Sequence, residues 1–162
     1  MKNVKTICYL GIGIALYVAF SMSMNIPLIS HIQTDLGYIV FGVWCVLFGW
    51  QGFIVGAAGC IIKTLIMGGW FPWGWFLGQI AIGIICGVGY NKVKSNIVKV
   101  IITIIAIFVG IAGIKTIVEC KLYSIPFDVK IIKNLVATVA DIIPMVIGMF
   151  LGNTLKERLH IN

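Results

Sequence analysis

The sequence predicts an all-helical integral membrane protein, a compact bundle of six transmembrane helices with both termini in the cytoplasm. Hydrophobic residues make up 60% of the chain and charged residues only 10%, and so little polar surface cannot cover a soluble core. The apolar residues also fall into long runs with short breaks between them. At about 20 residues per span, 162 residues allow roughly six helices in a single domain, residues 1–162.

The breaks between the apolar runs define the predicted spans. One break, Trp70-Phe71-Pro72-Trp73-Gly74-Trp75, holds three of the five tryptophans. Trp and Phe favour the lipid headgroup level, and Pro72 and Gly74 would interrupt a helix. The predicted spans are residues 7–24, 37–49, 51–67, 75–90, 97–118 and 135–155.

The N-terminal run is expected to be a retained first helix, because no small-residue cleavage site follows it. The cysteines lie in or beside apolar runs without CxxC spacing, so the sequence predicts no disulfide, metal site or cofactor. They are Cys8, Cys45, Cys60, Cys86 and Cys120.

Basic residues set the predicted orientation. With the N-terminus inside, seven lie on the inner side: Lys2, Lys5, Lys92, Lys94, Lys99, Lys156 and Arg158. Only three lie in the outer loops: Lys121, Lys130 and Lys133. This bias places both termini in the cytoplasm and explains the net charge of +7 without nucleic-acid binding. Segments 25–36, 70–75 and 119–134 then face outward. These long or aromatic connections indicate that the protein acts on a molecule at the outer face.

Several polar side chains fall in or near the outer halves of spans three to six. They are Lys63, Gln79, Lys115, Glu119, Asn134 and Asp141. A charge in hydrocarbon costs several kcal/mol unless it is paired or wet, so we expect these groups to face inward. Lys63 and Lys115 are close enough to the surface for snorkelling to remain an alternative. A structural ion pair between Lys115 and Glu119 is as good an explanation as a ligand site.

Asp141 lies deeper in the sixth span. Asn134, Thr138 and Asp141 follow at spacings of four and three, which puts them on one helix face. Pro144 cannot donate a backbone hydrogen bond and frees the carbonyl of Ala140 beside Asp141. This face is therefore a candidate wall of an enclosed polar cavity. Trp44, Trp75 and Tyr123 are candidate flat walls for a planar ligand, or else interface anchors.

Small residues recur at four-residue spacing on most spans and predict close helix packing within the chain. The strip Gly11, Ala15 and Ala19 on the first helix is the exception, since a smooth strip on a peripheral helix can also dock a second protein.

Four features together carry a family resemblance. They are the compact six-span layout, the AxxxA strip Ala15-Leu16-Tyr17-Val18-Ala19, the run Asp35-Leu36-Gly37-Tyr38 entering the second span, and the glycine-rich FGWQGFIVGAAG from Phe48 to Gly59. Residues 70–87 also match the expected third-to-fourth connection. In these features the chain resembles the substrate-binding S component of an energy-coupling factor (ECF) vitamin transporter.

The resemblance implies capture of a water-soluble vitamin or related micronutrient at the outer face of the bacterial plasma membrane, with riboflavin only as the family default. It implies a transmembrane T component and two cytoplasmic ATPases as partners, with Ala15 and Ala19 packing on the T component. The first loop, 25–36, would act as a lid. The implied ligand site comprises Gln79, Lys115, Glu119, Lys121, Tyr123, Asn134 and Asp141.

Three other functions stay open at this point. A stand-alone proton-coupled carrier would use Asp141 and Glu119 as its carboxylates. A membrane-embedded enzyme would use Lys63, His31 and Asp141, although no nucleophile elbow, HExxH or metal-ligand pattern is present and the enzyme class is not expected. An accessory subunit without a ligand would leave the polar cluster unexplained.

Overall fold

The computed structural model describes residues 2–23, 25–29 and 32–158. The described chain is almost entirely helical, with one β-hairpin. Its elements are α1 Lys2–Ser23, β1 Asn25–Ile29, β2 Ile32–Asp35, α2 Gly37–Phe48, α3 Phe53–Ile66, α4 Trp73–Lys92, α5 Asn96–Ile107, α6 Thr116–Tyr123 and α7 Phe127–Arg158. A 3-10 turn, Gly49–Gly52, joins α2 to α3, and a π-helical segment, Phe108–Lys115, joins α5 to α6.

Five segments of the described chain are long and apolar enough to cross a membrane: Val4–Ser23, Gly37–Ile66, Trp73–Lys92, Asn96–Tyr123 and Phe127–Arg158. The predicted class, a helical protein with several membrane-crossing helices, is confirmed at this level. The second predicted span and all but the last residue of the third fall within the segment Gly37–Ile66.

The segment Gly37–Ile66 turns back on itself. A Cβ added at Gly56 would lie 2.7 Å from Cζ of Phe41, whereas residues 15 apart on a straight helix are about 22 Å apart. Helices α2 and α3 are therefore antiparallel neighbours. The reversal needs Gly49, whose φ of 61° is a left-handed value that a residue with a Cβ rarely adopts.

The first connection forms a short hairpin. Strands β1 and β2 pair antiparallel, with Asn25 opposite Asp35 and Ile26 opposite Thr34. The all-helical prediction did not include these strands; pairing them satisfies backbone polar groups that would otherwise lie unpaired beside the bundle. We call this end of the bundle the hairpin end; it also carries the end of α3 and the start of α4. The opposite end, with the start of α1 and the end of α7, is the terminal end. His31 lies outside the described residues.

The predicted outer segment 119–134 is mostly helical. Helix α6 continues to Tyr123, and Ser124 ends it with a left-handed φ of 52°. Helix α7 begins at Phe127, eight residues before the predicted span, and its first turn includes the hydrogen bond from Lys130 N to the Pro126 carbonyl at 3.2 Å. Only residues 124–126 interrupt the helices, so the charges of this segment sit on helix faces.

The aromatic stretch 70–75 also differs from its prediction. Pro72 lies just before α4, but Gly74 belongs to the first turn of that helix and does not break it. A Cβ added at Gly74 would lie 2.7 Å from Cγ of Glu119. Gly74 is therefore needed for the close approach of α6. Trp70 is 92% exposed, as an aromatic side chain at a membrane surface would be.

Helices α2 and α7 cross in close contact at the centre of the bundle. A Cβ added at Gly42 would lie 2.6 Å from the carbonyl oxygen of Met145, and both helices bury aromatic and methionine side chains, among them Tyr38, Phe41 and Met149. In lipid there is no hydrophobic driving force for helix association. Small residues at the crossing let the two backbones approach closely, and the resulting van der Waals contacts stabilise the pair.

We expect Gly42→Ala to lower the stability of the purified protein, because the added methyl group would meet backbone that cannot move away cheaply. Overpacking of this kind costs about 1–3 kcal/mol, which corresponds to a fall of roughly 2–12 °C in the thermal midpoint in detergent. The matched control is Gly11→Ala, because no atom lies within 4 Å of a Cβ added there. Equal midpoints for the two variants would contradict the close packing of α2 on α7.

Candidate ligand-binding site

Polar side chains gather inside the hairpin end of the bundle. All of these side chains are buried, although they lie in a largely apolar part of the chain. They are Gln79, Lys115, Glu119, Asn134, Thr138 and Asp141. Lys115 is only 5% exposed and Asp141 only 1%, so Lys115 does not reach the surface by snorkelling. These groups come from α4, the π segment, α6 and α7, which converge here.

Lys115 is held by neutral groups. Its Nζ donates to Asn134 Oδ1 at 2.8 Å and lies 3.7 Å from the ring centroid of Trp75. Asn134 Nδ2 in turn donates to Thr116 Oγ1 at 2.9 Å. An ammonium has three donors, and within the described residues no carboxylate oxygen lies within 4.0 Å of this one. Lys115 is therefore not paired with a carboxylate, and its ammonium has hydrogen-bond donors that these contacts leave unused.

The ion pair considered between Lys115 and Glu119 does not form. Lys130 Nζ of α7 lies 3.0 Å from Glu119 Oε2, because the early start of α7 brings Lys130 opposite the last turns of α6. That oxygen nevertheless lacks a partner with hydrogen-bond geometry. The contact is an ion pair by distance, and the carboxylate can still accept a well-directed hydrogen bond.

Asp35 connects four helices at the hairpin end. Its Oδ2 accepts hydrogen bonds from Lys63 Nζ at 2.9 Å and Ser21 Oγ at 2.7 Å. Its Oδ1 accepts from the backbone N of Gly37 at 2.9 Å, and its own backbone N donates to Asp141 Oδ1 at 3.2 Å. Lys63 is thereby paired rather than free. The carboxylate fixes the end of the hairpin against α1, α2 and α3, and the backbone N of Asp35 fixes it against α7.

Asp35 was not among the predicted site residues. Two signals point to it: an aspartate two residues before a helix commonly caps the backbone, and Lys63 within an apolar helix requires a counter-charge. The contact between Asp35 and Asp141 spans 106 residues, and nothing local in the sequence indicates it.

We expect the pair of Asp35 and Lys63 to stabilise the hairpin end by about 1–3 kcal/mol, between the values of exposed and buried ion pairs. Their side chains are 16% and 21% exposed, respectively. Asp35→Asn and Lys63→Met should each lower the thermal midpoint, and the double variant should lose less than the sum of the two. Additive losses would mean that the two side chains act independently.

Gln79 sits where α1, α2 and α4 meet. Its Nε2 donates to Tyr38 OH at 2.9 Å and, more weakly, to Tyr17 OH at 3.4 Å. Its Oε1 is buried without a hydrogen-bond partner in the described part of the chain. A buried carbonyl oxygen without a partner is costly, so this atom is a candidate acceptor for a ligand donor.

Three predicted site residues lie apart from this cluster. Trp44 Nε1 donates to the backbone carbonyl of Tyr9 at 3.0 Å, on the part of α2 toward the terminal end. Lys121 and Tyr123 are exposed on the last turn of α6, Tyr123 at 51%. As ligand contacts these three remain predictions, and the geometry brings none of them to the buried groups.

The small-residue strip is exposed on α1. Gly11, Ala15 and Ala19 all face outward. Within the described chain, no group of three or more His, Cys, Asp or Glu side chains is arranged to hold a metal ion. The buried groups at the hairpin end thus supply hydrogen-bond donors and acceptors of both charges beside an aromatic ring, which suits binding of a polyfunctional small molecule.

A family model described as the ECF-type riboflavin transporter, S component, matches residues 1–159 of the chain. Among curated proteins, a UPF0397 protein of Streptococcus thermophilus (strain ATCC BAA-491 / LMD-9) is 34% identical over 95 residues, which are 57% of this chain and 52% of that protein. The chain thus spans about half the length of the first curated relatives. A UPF0397 protein of Lactococcus lactis subsp. cremoris (strain MG1363) is 30% identical over 147 residues, covering 88% of this chain and 74% of the relative.

Two crystal structures share the fold. The S component for biotin from an ECF-type ABC transporter has a TM-score of 0.70 at 18% identity, with 99% of this chain and 97% of that chain covered. FolT bound with folic acid also has a TM-score of 0.70, at 23% identity and with 92% of each chain covered.

Proposed function

Because this chain belongs to the family of S components of ECF-type riboflavin transporters, a family of substrate-binding transporter subunits and not of enzymes, we propose that it captures a water-soluble vitamin or related micronutrient. Capture takes place at the outer face of the bacterial plasma membrane and serves ATP-driven import. The five segments able to cross a membrane, together with the family, make it a multi-pass membrane protein.

In the proposed topology the chain crosses the membrane six times. The reversal at Gly49–Gly52 makes α2 and α3 two crossings, and α5, the π segment and α6 form one. Both termini then lie in the cytoplasm, as the lysine bias favours, and the hairpin end faces outward. The strands β1 and β2 belong to the proposed lid, 25–36.

One observation carries the proposal: polar and charged groups buried at the hairpin end have hydrogen-bonding capacity that the described protein groups do not use. Lys115 has no carboxylate partner among the described residues, and Gln79 Oε1 has no partner there. Ionisable groups inside a membrane protein mark functional sites by default, because a purely structural role rarely offsets their cost.

In the proposed mechanism the ligand enters between the hairpin and the first turn of α4. An anionic or carbonyl group of the ligand meets the Lys115 ammonium, the ring of Trp75 covers a flat part, and donors of the ligand meet Gln79 Oε1 and Asp141. Asp35 ties the lid to Asp141 through its backbone, so ligand binding at Asp141 and closure of the lid are coupled. Closure excludes water and strengthens each polar contact.

The proposed partners are a transmembrane T component and two cytoplasmic ATPases, in the surrounding lipid bilayer. The sequence has no P-loop pattern, so ATP hydrolysis that drives import must take place on a partner. The strip of Gly11, Ala15 and Ala19 is the proposed docking surface for the T component, because exposed small residues allow close helix approach.

The experiment that tests capture is native mass spectrometry of the detergent-purified chain after expression in rich medium. The expected result is a stoichiometric mass of vitamin size that is released on denaturation. A panel of riboflavin, folate, biotin and pantothenate, titrated by tryptophan fluorescence, then ranks the candidates. If the chain is empty, binds none of the panel and takes up solute alone under a proton gradient, the alternative of a proton-coupled carrier replaces this proposal.

A further inference from the structure

A second polar concavity lies at the terminal end of the bundle, far from the proposed vitamin site. It is a cleft of about 370 Å³ formed where α4 ends, α5 begins and α7 ends. The residues that matter for its chemistry are Lys94, Asn96, Lys99, Asn153, Lys156 and Glu157.

The cleft is positively charged. Three of its lining residues are lysines and one is a glutamate, which gives a formal charge of +3 − 1 = +2. In the described part of the chain, none of these lysines has a carboxylate oxygen within 4.0 Å. A concave site with unpaired cations attracts an anion.

The base of the cleft is ordered by amides rather than by carboxylates. Lys99 Nζ donates to Asn153 Oδ1 at 2.7 Å, and Asn153 Nδ2 donates to Asn96 Oδ1 at 3.2 Å. These contacts join α5 to α7 and hold the ammonium without neutralising it. Lys99 therefore has no neutralising carboxylate partner among the described residues and has two further N–H donors when protonated.

The first turn of α5 adds to the positive potential. Ser95 precedes the helix in an extended conformation and makes no side-chain cap hydrogen bond, and no acidic residue lies in the first turn. The free backbone N–H groups there carry partial positive charge. They reinforce the lysines without forming a site by themselves.

An exposed apolar row runs down the outside of α5, from the same end of the helix that lines the cleft. Ile97 is 74% exposed, Ile101 48% and Ile104 39%, and their spacing places them on one helix face. The row begins at Ile97, directly after Asn96 of the cleft, so a molecule with an anionic head at the start of α5 and a hydrocarbon tail along the outside of the helix fits both features. Inorganic phosphate has no hydrocarbon part that could contact the row.

We propose that this cleft binds the phosphate headgroup of an anionic phospholipid, whose acyl chain lies along Ile97, Ile101 and Ile104. Lys94, Lys99 and Lys156 hold the phosphate, and Glu157 sets the edge of the cleft. The site is independent of vitamin capture, so neither proposal depends on the other.

The test is a titration of the delipidated full-length chain with phosphatidylglycerol, followed by native mass spectrometry. We expect the double variant Lys94→Gln/Lys156→Gln to bind about 25-fold more weakly, since each lysine near an anionic lipid contributes roughly a factor of five. The matched control is Lys5→Gln/Lys92→Gln, which removes the same charge from exposed lysines outside the cleft and should change binding less than about threefold.

Three outcomes would overturn the proposal. Equal losses in the two double variants would mean that only overall surface charge matters. Equal affinity for phosphatidylcholine and phosphatidylglycerol would mean that the net charge of the headgroup does not determine binding. Displacement of the lipid by millimolar inorganic phosphate would identify free phosphate, and not a lipid, as the occupant.

Discussion

Lys115→Met is expected to weaken vitamin binding by about 30-fold or more. Removing one partner of a buried, hydrogen-bonded charge typically costs 2–5 kcal/mol, which is about 30- to 5000-fold in affinity. Methionine approximates the length and apolar stem of lysine, so the packing on Trp75 is largely kept while the ammonium is lost. The measurement is the dissociation constant of the identified ligand by tryptophan fluorescence or calorimetry.

The control for this variant is Lys133→Met. Lys133 precedes Asn134 on the same helix but is exposed, so its removal changes the charge and leaves the site intact. Asp141→Asn provides a second probe that keeps an oxygen acceptor for Asp35 N, and about a tenfold loss is expected if Asp141 meets a ligand donor. Unchanged affinity in Lys115→Met and Asp141→Asn, with folded protein in both, would remove these side chains from the site.

Ala15→Trp is expected to abolish ATP-driven uptake while ligand affinity stays within about twofold. Ala15 faces outward on α1, and an indole there would hold a partner helix away from the close approach that small residues permit. Uptake in cells and co-purification with the T component measure assembly, and fluorescence titration of the isolated chain measures capture.

The matched control is Ile84→Trp on α4. Ile84 is 42% exposed on a different outward face, so the same bulk is added to a surface that faces lipid in the proposed assembly. Loss of uptake in both variants would indicate a general effect of bulk in the membrane. Normal uptake in Ala15→Trp would exclude the strip as the docking surface.

Local sequence patterns predicted much of this architecture, because a chain that folds in lipid must be apolar along its spans and must bury its charges. The apolar runs located the main helices, and the cost of an intramembrane charge correctly indicated that Lys115 and Asp141 are buried. The glycine-rich turn after Phe48 indicated where the chain reverses. Each of these signals lies within a few residues of the feature that it predicts.

Features that depend on distant contacts were not predictable in the same way. The contact of Asp35 with Asp141 arises only when α7 packs beside the hairpin. The ion pair of Glu119 with Lys130 arises only because α7 starts early and brings Lys130 opposite α6. The early start of α7 was missed because residues 127–134 carry charges that resemble those of a loop. The eight π-helical residues have no sequence signature that distinguishes them from an α-helix.

The reversal at Gly49–Gly52 leaves helices of unequal height around the bundle. Helix α3 has 14 residues, about 21 Å of rise, against a hydrocarbon thickness of about 30 Å, whereas α7 has 32 residues and extends well beyond it. If α3 is a separate crossing, as in the proposed topology, the bilayer beside it must become thinner, at a cost of fractions of a kcal/mol per ångström. Helix α1 packs on α3, so a partner docked on α1 would displace part of this deformed lipid shell. The membrane itself would then favour assembly through the relief of elastic strain.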